Sequence, residues 1–198
     1  MDSSDSPPAG TAREIEAFEA LLRRYGRRIY QLAYRMAGNE ADASDLTQEA
    51  FIRVWRAFRR IDPEANLESW LYRIVTNLYI DLLRRRPRVR LESLDVPVRT
   101  PKGDEVRREI PDERSDPAEA VLGRRLDVEI QRALVALGPE LRMVVVLSDI
   151  EGQSYEEISA TLRIPIGTVK SRLHRARRIL QGRLAHLMLK AGPGGEQR

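Results

Sequence analysis

A polar stretch that contains prolines divides this sequence into two segments and limits the folds open to it. Residues 88–116 include Pro97, Pro101 and Pro111 among charges of both signs, and they offer little that a core could bury. On either side, apolar residues recur at steps of three and four, and no segment alternates as a half-buried strand would. The sequence therefore predicts an all-α protein with two small helical domains joined by a flexible linker.

This division predicts five parts along the chain. Residues 1–11 are rich in Ser, Pro and Asp, a composition typical of a disordered tail. The remaining parts are a first domain at 12–87, the linker at 88–116, a second domain at 117–190 and a tail at 191–198.

The first domain is expected to be a bundle of three to four helices. Its first helix ends at Gly38 and Asn39, the second spans DASDLTQEAFIRVWRAFRR, and the third spans LESWLYRIVTNLYIDLLRRR and ends at Pro87. The residues predicted to face inward on the first two helices are Ile15, Phe18, Leu22, Tyr25, Ile29, Leu32, Met36, Leu46, Ala50, Val54 and Phe58.

The second domain is expected to contain four helices. Asp116 can cap a helix that begins at Pro117, and GPELRMVVVLSDIEG predicts a short apolar helix closed by Gly152. Ser154 and Glu157 have the spacing of a capping box at the start of the next helix. The residues predicted to face inward on the helix from Pro117 are Ala120, Leu122, Leu126, Ile130, Leu134 and Leu137.

The last two helices have the layout of a helix-turn-helix, with Pro165 and Gly167 expected to stop and redirect the chain between them. The final helix is expected to start near Thr168, with aliphatic residues on one side and basic residues on the other. Such a basic side can enter the major groove, where Arg and Lys contact guanine and phosphate. A solvated basic face on a structural helix is the alternative. The residues expected to contact DNA are Thr168, Lys170, Ser171, Arg172, His174, Arg175 and Arg178. Of the arginines further along the helix, Arg177, Arg178 and Arg183 are expected to contact the phosphate backbone rather than the bases.

The distribution of charge favours a polyanionic partner. Glu157 is the last acid before Glu196, and the basic run RRRPRVR occupies residues 84–90. Although Lys and Arg exceed Asp and Glu by only four, clustered arginine favours nucleic acid first and an anionic membrane surface second.

The composition excludes several other classes of site. The chain has no cysteine and two histidines, which excludes disulfides within the chain and thiolate zinc sites and leaves too few ligands for an ordinary histidine metal centre. The N-terminus lacks the apolar region of a secretory signal, and no apolar run could span a bilayer. We expect a cytoplasmic protein with no metal, no cofactor and no catalytic residues, and without membrane insertion.

Two motifs in a fixed order carry a family resemblance. The segments DASDLTQEAFIRVWRAF and LESWLYRIVTNLYIDLLRRR resemble domain 2 of bacterial sigma factors, and LGPELRMVVVLSDIEGQSYEEISATLRIPIGTVKSRLHRARRIL resembles their domain 4. The second motif alone is also similar to the DNA-binding domain of LuxR-type response regulators. Because the chain has no room for the extra regions of primary sigma factors, it resembles the extracytoplasmic function (ECF) sigma factors, in particular the sigma-E-like group.

The resemblance implies a surface for core RNA polymerase. In DLTQEAF, the residues Asp45, Leu46, Gln48 and Glu49 match the segment that contacts the clamp helices of the largest polymerase subunit. An acid near a helix N-terminus also complements the helix dipole, which is the structural alternative for Asp45.

The resemblance also implies a surface for the promoter −10 element. Asn66, in the loop RRIDPEANLESW, and Asn77 match the pocket for a flipped base, which needs hydrogen bonds to the base edge. Arg84, Arg85 and Arg86 are expected to contact phosphates, although part of their charge complements a helix C-terminus. An ordinary surface position is the alternative for Asn77.

The partners implied are core RNA polymerase, through its clamp helices and flap, promoter DNA at the −10 and −35 elements, and an anti-sigma factor that holds the protein inactive. The resemblance implies that the chain is not an enzyme and that it starts promoter melting within the polymerase complex. The alternatives are a helix-turn-helix regulator that acts without polymerase, and a helical adaptor or RNA-binding protein.

Overall fold

The computed structural model describes residues 9–58, 66–86 and 117–190, apart from the side chains of residues 9–11, 117–125 and 186–190. These residues form helices and short connections, with no strand among them, which confirms the predicted fold class. The helices are α1 (Ala9–Ala37), α2 (Glu40–Ala57), α3 (Leu67–Arg85), α4 (Pro117–Val135), α5 (Pro139–Val145) with a π-helical continuation (Val146–Ile150), α6 (Tyr155–Leu162) and α7 (Ile166–Lys190).

Several predicted segments lie outside the described residues. They are residues 1–8 of the first tail, residues 59–65 of the loop before the third helix, Pro87, the linker with Asp116 as a helix cap, and the second tail. The side chains of Ala120 and Leu122, predicted to face inward, are also outside the described part. Residues 9–11, which were predicted to be disordered, belong to α1. The domain boundaries themselves stay predictions.

Helices α1, α2 and α3 pack as the first helical unit. The core holds Ile29, Leu32 and Met36 from α1, and Ala50 and Val54 from α2, all of them fully buried. The predicted inward stripe of α1 is therefore correct in its C-terminal part.

Ile15 was predicted to face inward, but 39% of its surface is exposed. The reason is length, because 29 residues of α1 extend about 43 Å and the 18 residues of α2 only about 27 Å. The N-terminal end of α1 therefore projects past the helix that covers the rest of it.

Helices α4 to α7 form the second helical unit. Leu134 and Leu137 are buried as predicted, whereas Leu126 is 46% exposed and the prediction that it faces inward is wrong. Among the described side chains near α4, the buried ones lie at its C-terminal end, where α1 and α7 pack against it.

The apolar segment after Pro139 was predicted as one α-helix and is instead α5 followed by a π-helical turn. The amide of Glu151 donates to the carbonyl of Val146, the five-residue spacing of a π-helix. Gly152 closes the segment as predicted, with a positive φ of 69°.

The two helical units pack against each other, which the sequence did not predict. Arg142 of α5 lies at their boundary with only 7% of its surface exposed. Its guanidinium donates to the carbonyls of Met36 at 2.7 Å, Val135 at 2.7 Å and Leu137 at 3.0 Å. One buried side chain thus joins the C-terminal ends of α1 and α4, and its burial lowers the pKa of the guanidinium.

Gly38, which ends α1 as predicted, also lies at this boundary. Its φ of 84° falls in the region that favours glycine. A Cβ at this position would lie 2.7 Å from Cγ2 of Val135 in the second unit. Backbone conformation and close packing therefore both require glycine here.

Candidate nucleic-acid interface

Helix α6 is held at its start by the predicted capping box. The Ser154 hydroxyl accepts a hydrogen bond from the Glu157 amide at 3.2 Å, and the Glu157 carboxylate accepts one from the Ser154 amide at 2.9 Å. The bond from the Ser154 backbone, together with one from the Ser69 hydroxyl, lowers the pKa of Glu157. The first helix of the motif is therefore fixed before the turn begins.

The turn between α6 and α7 depends on a residue that sequence reasoning overlooked. Arg163 ends α6 with a φ of 54°, a left-handed conformation that is uncommon outside glycine. Gly167, which was predicted to redirect the chain, instead lies inside α7 and has no positive φ. The hydroxyl of Ser159 donates to the Ile164 carbonyl at 2.6 Å and braces the turn.

The apolar face of α7 packs as its phase predicts. Val169, Leu173 and Ala176 are buried with at most 1% exposed. The helix begins at Ile166, two residues before the predicted start. Since these three residues fix the rotation of α7, they also decide which of its side chains face outward.

Most of the predicted DNA-contacting residues lie together on the outer face of α7. Lys170, Ser171, His174, Arg175 and Arg178 are exposed. Thr168 is half-buried in the first turn, and its carbonyl accepts a hydrogen bond from the Ser171 hydroxyl at 3.1 Å. The structure thus presents one basic face at the N-terminal half of the helix.

Two arginines of α7 are occupied by carboxylates of the same helical unit. Arg172, predicted to contact DNA, is 24% exposed and pairs with Glu140 at 2.5 Å. Arg177, predicted to contact phosphate, donates to both carboxylate oxygens of Asp149 at 2.9 and 2.6 Å. These bonds lower the pKa of Asp149. Both arginines therefore anchor α7 to α5 and its π-helical turn in this structure, although Arg177 keeps about half of its side-chain surface exposed.

The predicted −10 residues lie along α3. Asn66 caps the helix, because its side-chain oxygen accepts from the Ser69 amide at 3.1 Å. Asn77 is half-buried eleven residues later, and at 100° per residue the two positions share one face. Capping α3 is thus a structural role for Asn66, as an alternative to contacting a base. Its side-chain oxygen is used by the cap, and its NH2 group remains able to donate a hydrogen bond.

The three arginines at the end of α3 are exposed, but they are not equivalent. Arg84 lies 3.4 Å from Asp81, a loose contact. Arg86 donates to both carboxylate oxygens of Asp42, at 2.6 and 2.5 Å. Arg85 has no ion pair within the helices described, so its charge faces solvent.

Arg73 is a further candidate that sequence reasoning missed. It is exposed on α3, seven residues after Asn66 and four before Asn77, so it continues their face. The spacing alone could have identified it, because Arg73 lies about two helical turns after Asn66 and about one turn before Asn77.

The predicted polymerase surface lies on α2. Asp45 and Gln48 are exposed and Glu49 is half-buried, with its carboxylate 3.0 Å from Arg53. Leu46 is only 5% exposed and belongs to the core. Its inclusion in the contact surface is therefore corrected, because a buried side chain offers a partner almost no area.

Two exposed apolar residues extend this face of α2 and were not predicted. Ile52 is 44% exposed and Trp55 is 41% exposed, four and seven residues after Gln48. The Trp55 ring packs edge-on against Phe18 with centroids 4.9 Å apart and stacks on Phe58. The helical spacing from Asp45 was the available signal.

The described helices show two further properties. None of them is long and apolar enough to cross a membrane. Within the same residues, no group of three or more His, Cys, Asp or Glu side chains is arranged to hold a metal ion.

Two protein-family models match the chain, one in each helical unit. Sigma-70 region 2 matches residues 21–89, and Sigma-70, region 4 matches residues 127–180.

Curated relatives match nearly the full length of the chain. It is 45% identical over 192 residues to the ECF RNA polymerase sigma factor SigE of Mycolicibacterium smegmatis, covering 93% of this chain and 71% of the relative. It is 38% identical over 172 residues to the ECF RNA polymerase sigma factor SigW of Bacillus subtilis, covering 87% and 91%. With the ECF RNA polymerase sigma-E factor of Escherichia coli it shares 33% identity over 176 residues, covering 87% and 89%.

Two solved structures share the arrangement of helices. The sigma factor RpoE from Bartonella quintana, in a co-crystal with the anti-sigma factor NepR, matches with a TM-score of 0.61 and 25% identity over 86% of this chain and 98% of that one. CnrH, in complex with the cytosolic domain of CnrY, matches with a TM-score of 0.54 and 27% identity over 89% of this chain and 90% of that one.

Proposed function

Since the chain belongs to the ECF sigma factors of bacterial RNA polymerase, we propose that the three faces described above perform the separate steps of promoter recognition. The protein is a transcription initiation factor that binds core RNA polymerase and directs it to promoters. The main support for this proposal is the basic outer face of α7, which is presented by a helix-turn-helix whose first helix is capped. The chain itself catalyses no reaction, and it acts as part of the polymerase complex in the cytoplasm.

The −35 element is read by the outer face of α7. Arg175 and Arg178 project from the side opposite the buried Val169 and Leu173, where a major groove can receive them. Ser171 and His174 lie on the same face. Arg172 and Arg177 contribute by fixing the rotation of α7 through Glu140 and Asp149.

The −10 element is read by the face of α3. The Asn77 amide offers a donor and an acceptor to the edge of an unstacked base. Arg73 and Arg85 contact the neighbouring phosphates, since both are exposed and neither is paired within the described helices. Asn66 caps the start of this helix through the Ser69 amide.

Core polymerase is bound by the face of α2. Asp45, Gln48 and Glu49 supply polar contacts at one end of the face, and Ile52 and Trp55 supply apolar area at the other. Such a combination of an aromatic anchor and a polar rim is typical of protein interfaces.

An anti-sigma factor is the partner that holds the protein inactive. RpoE, to which this structure is similar, forms a complex with the anti-sigma factor NepR. A protein that exposes a polymerase-binding face and a DNA-binding face can be blocked by one partner that covers either of them.

The proposed function is tested by transcription in vitro with purified core polymerase and a library of promoters. The chain is expected to start RNA synthesis from a defined subset of promoters and to protect promoter DNA only when core enzyme is present. Specific footprints without core enzyme, together with no transcription from any template, would assign the chain to the regulators that act alone.

Replacing Arg175 with alanine is expected to reduce transcription from −35-dependent promoters about tenfold. One bidentate contact to guanine contributes about 1–3 kcal/mol of discrimination, and every 1.4 kcal/mol corresponds to a factor of ten. Transcription from promoters with intact and scrambled −35 elements measures the effect. Arg132→Ala changes an exposed arginine of α4 and is the matched control, which should leave transcription from both kinds of promoter unchanged. If Arg175→Ala lowered the affinity for core enzyme as much as it lowered transcription, the assignment would be refuted.

Replacing Asn77 with alanine is expected to alter the −10 preference rather than abolish transcription. The amide is the group proposed to pair with the edge of the flipped base, so the preferred base at one position should relax by about tenfold. Sequencing of transcripts from a library randomised at −10 measures this. An unchanged preference removes Asn77 from the pocket.

A further inference from the structure

A groove of about 390 Å³ lies where the two helical units meet. Its walls are one side of α1, including Arg24, Arg27 and Arg35, and the end of the π-helical turn, with Ile150 and Glu151. Its volume falls within the range of small-molecule sites. The groove plays no part in the polymerase-binding or promoter-reading faces described above.

The groove carries an excess of positive charge. Four arginines line it, and Glu151 is the one carboxylate among its lining residues. Arg28 already binds Glu151 at 3.4 Å and Glu68 at 2.6 Å, and it lies 5.5 Å from the centre of the Tyr72 ring.

The other three arginines have no carboxylate partner among the residues described. Arg24 lies over the ring of Tyr25 at 5.2 Å, Arg27 is exposed, and Arg35 is half-buried. Arg24 lies three residues before Arg27 and four before Arg28, and positions at these spacings are neighbours on a helix, so the like charges of these arginines repel one another. A bound anion would remove this repulsion.

The spacing of the arginines indicates the kind of anion. Residues 24–35 extend about 16 Å along α1, so a single phosphate cannot reach all the guanidiniums, whereas several phosphates in a row can. Guanidinium groups bind phosphate oxygens in pairs, with good geometry. A DNA duplex, whose major groove alone is about 12 Å wide, is too broad to enter a groove of 390 Å³.

We propose that this groove binds a small anion with three or more linked phosphates, either a condensed phosphate or a nucleoside polyphosphate. The site is complete only when the two helical units are packed, because α1 forms one wall and the π-helical turn the other. The anion therefore stabilises the packed arrangement, since a ligand favours the conformation that it binds.

Calorimetric titration of the full chain with tripolyphosphate, at fixed ionic strength and without polymerase, tests the proposal. We expect saturable binding with one site, and inorganic phosphate should bind at least about tenfold more weakly. A parallel titration with adenosine triphosphate distinguishes a condensed phosphate from a nucleoside polyphosphate. If the natural ligand carries a base, the apolar side chain of Ile150 can contact it, and adenosine triphosphate should then bind more tightly than tripolyphosphate.

Two double variants of α1 with equal charge change separate a site from a general charge effect. Arg24→Gln with Arg27→Gln should weaken tripolyphosphate binding at least about tenfold. Arg13→Gln with Arg23→Gln, exposed on the same helix but outside the groove, should weaken it less than about twofold. Equal losses in the two double variants, or no binding to the unmodified chain, would overturn the proposal.

Ser69→Asp tests the need for both walls. The Ser69 hydroxyl donates to Glu157 at 3.0 Å across the two units, so a carboxylate there opposes their packing and leaves α1 untouched. We expect weaker tripolyphosphate binding in this variant. Unchanged affinity would place the ligand on α1 alone and contradict the shared site. None of these titrations involves transcription, so their failure leaves the sigma-factor function intact.

Discussion

Replacing Asp45 with lysine and Gln48 with alanine together is expected to weaken binding to core RNA polymerase at least about thirtyfold. Both side chains are exposed on α2, and the change reverses the charge of one proposed polymerase contact and removes the amide of the other. Truncating a charged interface contact costs about 2 kcal/mol or more, and each 1.4 kcal/mol is tenfold in affinity. Fluorescence anisotropy of the labelled protein titrated with purified core enzyme measures the affinity.

A matched pair of changes controls for net charge. Glu16→Lys with Gln181→Ala alters an exposed acid of α1 and an exposed glutamine of α7, neither of which lies on α2, and it should leave core affinity within about twofold. Circular dichroism should show unchanged helix content in both proteins. If the Asp45 and Gln48 variant bound core enzyme and supported transcription normally, α2 would not be the polymerase-binding face.

Replacing Arg142 with leucine is expected to lower the free energy of unfolding by about 3 kcal/mol. The change removes three hydrogen bonds from a charged donor and leaves the carbonyls of Met36, Val135 and Leu137 without it. An unsatisfied buried carbonyl costs about 1–3 kcal/mol, and relief from burying the charge offsets part of the sum. Urea denaturation followed by circular dichroism measures the loss.

Arg132→Leu is the control for this prediction, since its side chain is 68% exposed and its ion pair with Glu129 is a surface pair. Its effect on unfolding should stay within about 0.5 kcal/mol. An Arg142→Leu protein as stable as the unmodified chain would show that the boundary between the units contributes little to folding.

Features that depend on neighbouring residues in the sequence were predictable. The capping box of Ser154 and Glu157, the glycine after α1 and the buried side of α7 follow from spacings of three or four residues and from the chemistry of helix ends. The outer face of α7 was predictable as well. Once the apolar residues define the side of the helix that packs inward, the residues on the opposite side must face outward.

Features that depend on distant residues were not predictable. Ser69 and Glu157 are 88 positions apart, and Arg142 and Met36 are 106 apart. No periodicity within one helix reports such contacts. Arg172 is an example. Its position along α7 placed it near the DNA-binding side, and only the folded structure shows that its guanidinium is paired with Glu140 of α5.

The left-handed residue before α7 was missed for a different reason. Arg163 is a poor candidate for a positive φ by residue type, whereas the nearby Pro165 and Gly167 match the usual turn signals. The hydrogen bond from Ser159 to the Ile164 carbonyl helps to hold this conformation. Tertiary structure here overrides local preference.

Because Gly38 carries only a hydrogen atom in place of a side chain, the first helical unit can approach Val135 of the second unit closely. A methyl group there would act as a wedge against Val135 and would also strain the chain reversal before α2. Any larger residue at position 38 should therefore favour conformations in which the two helical units are separated. This would change the position of α3 relative to α7 without altering either helix.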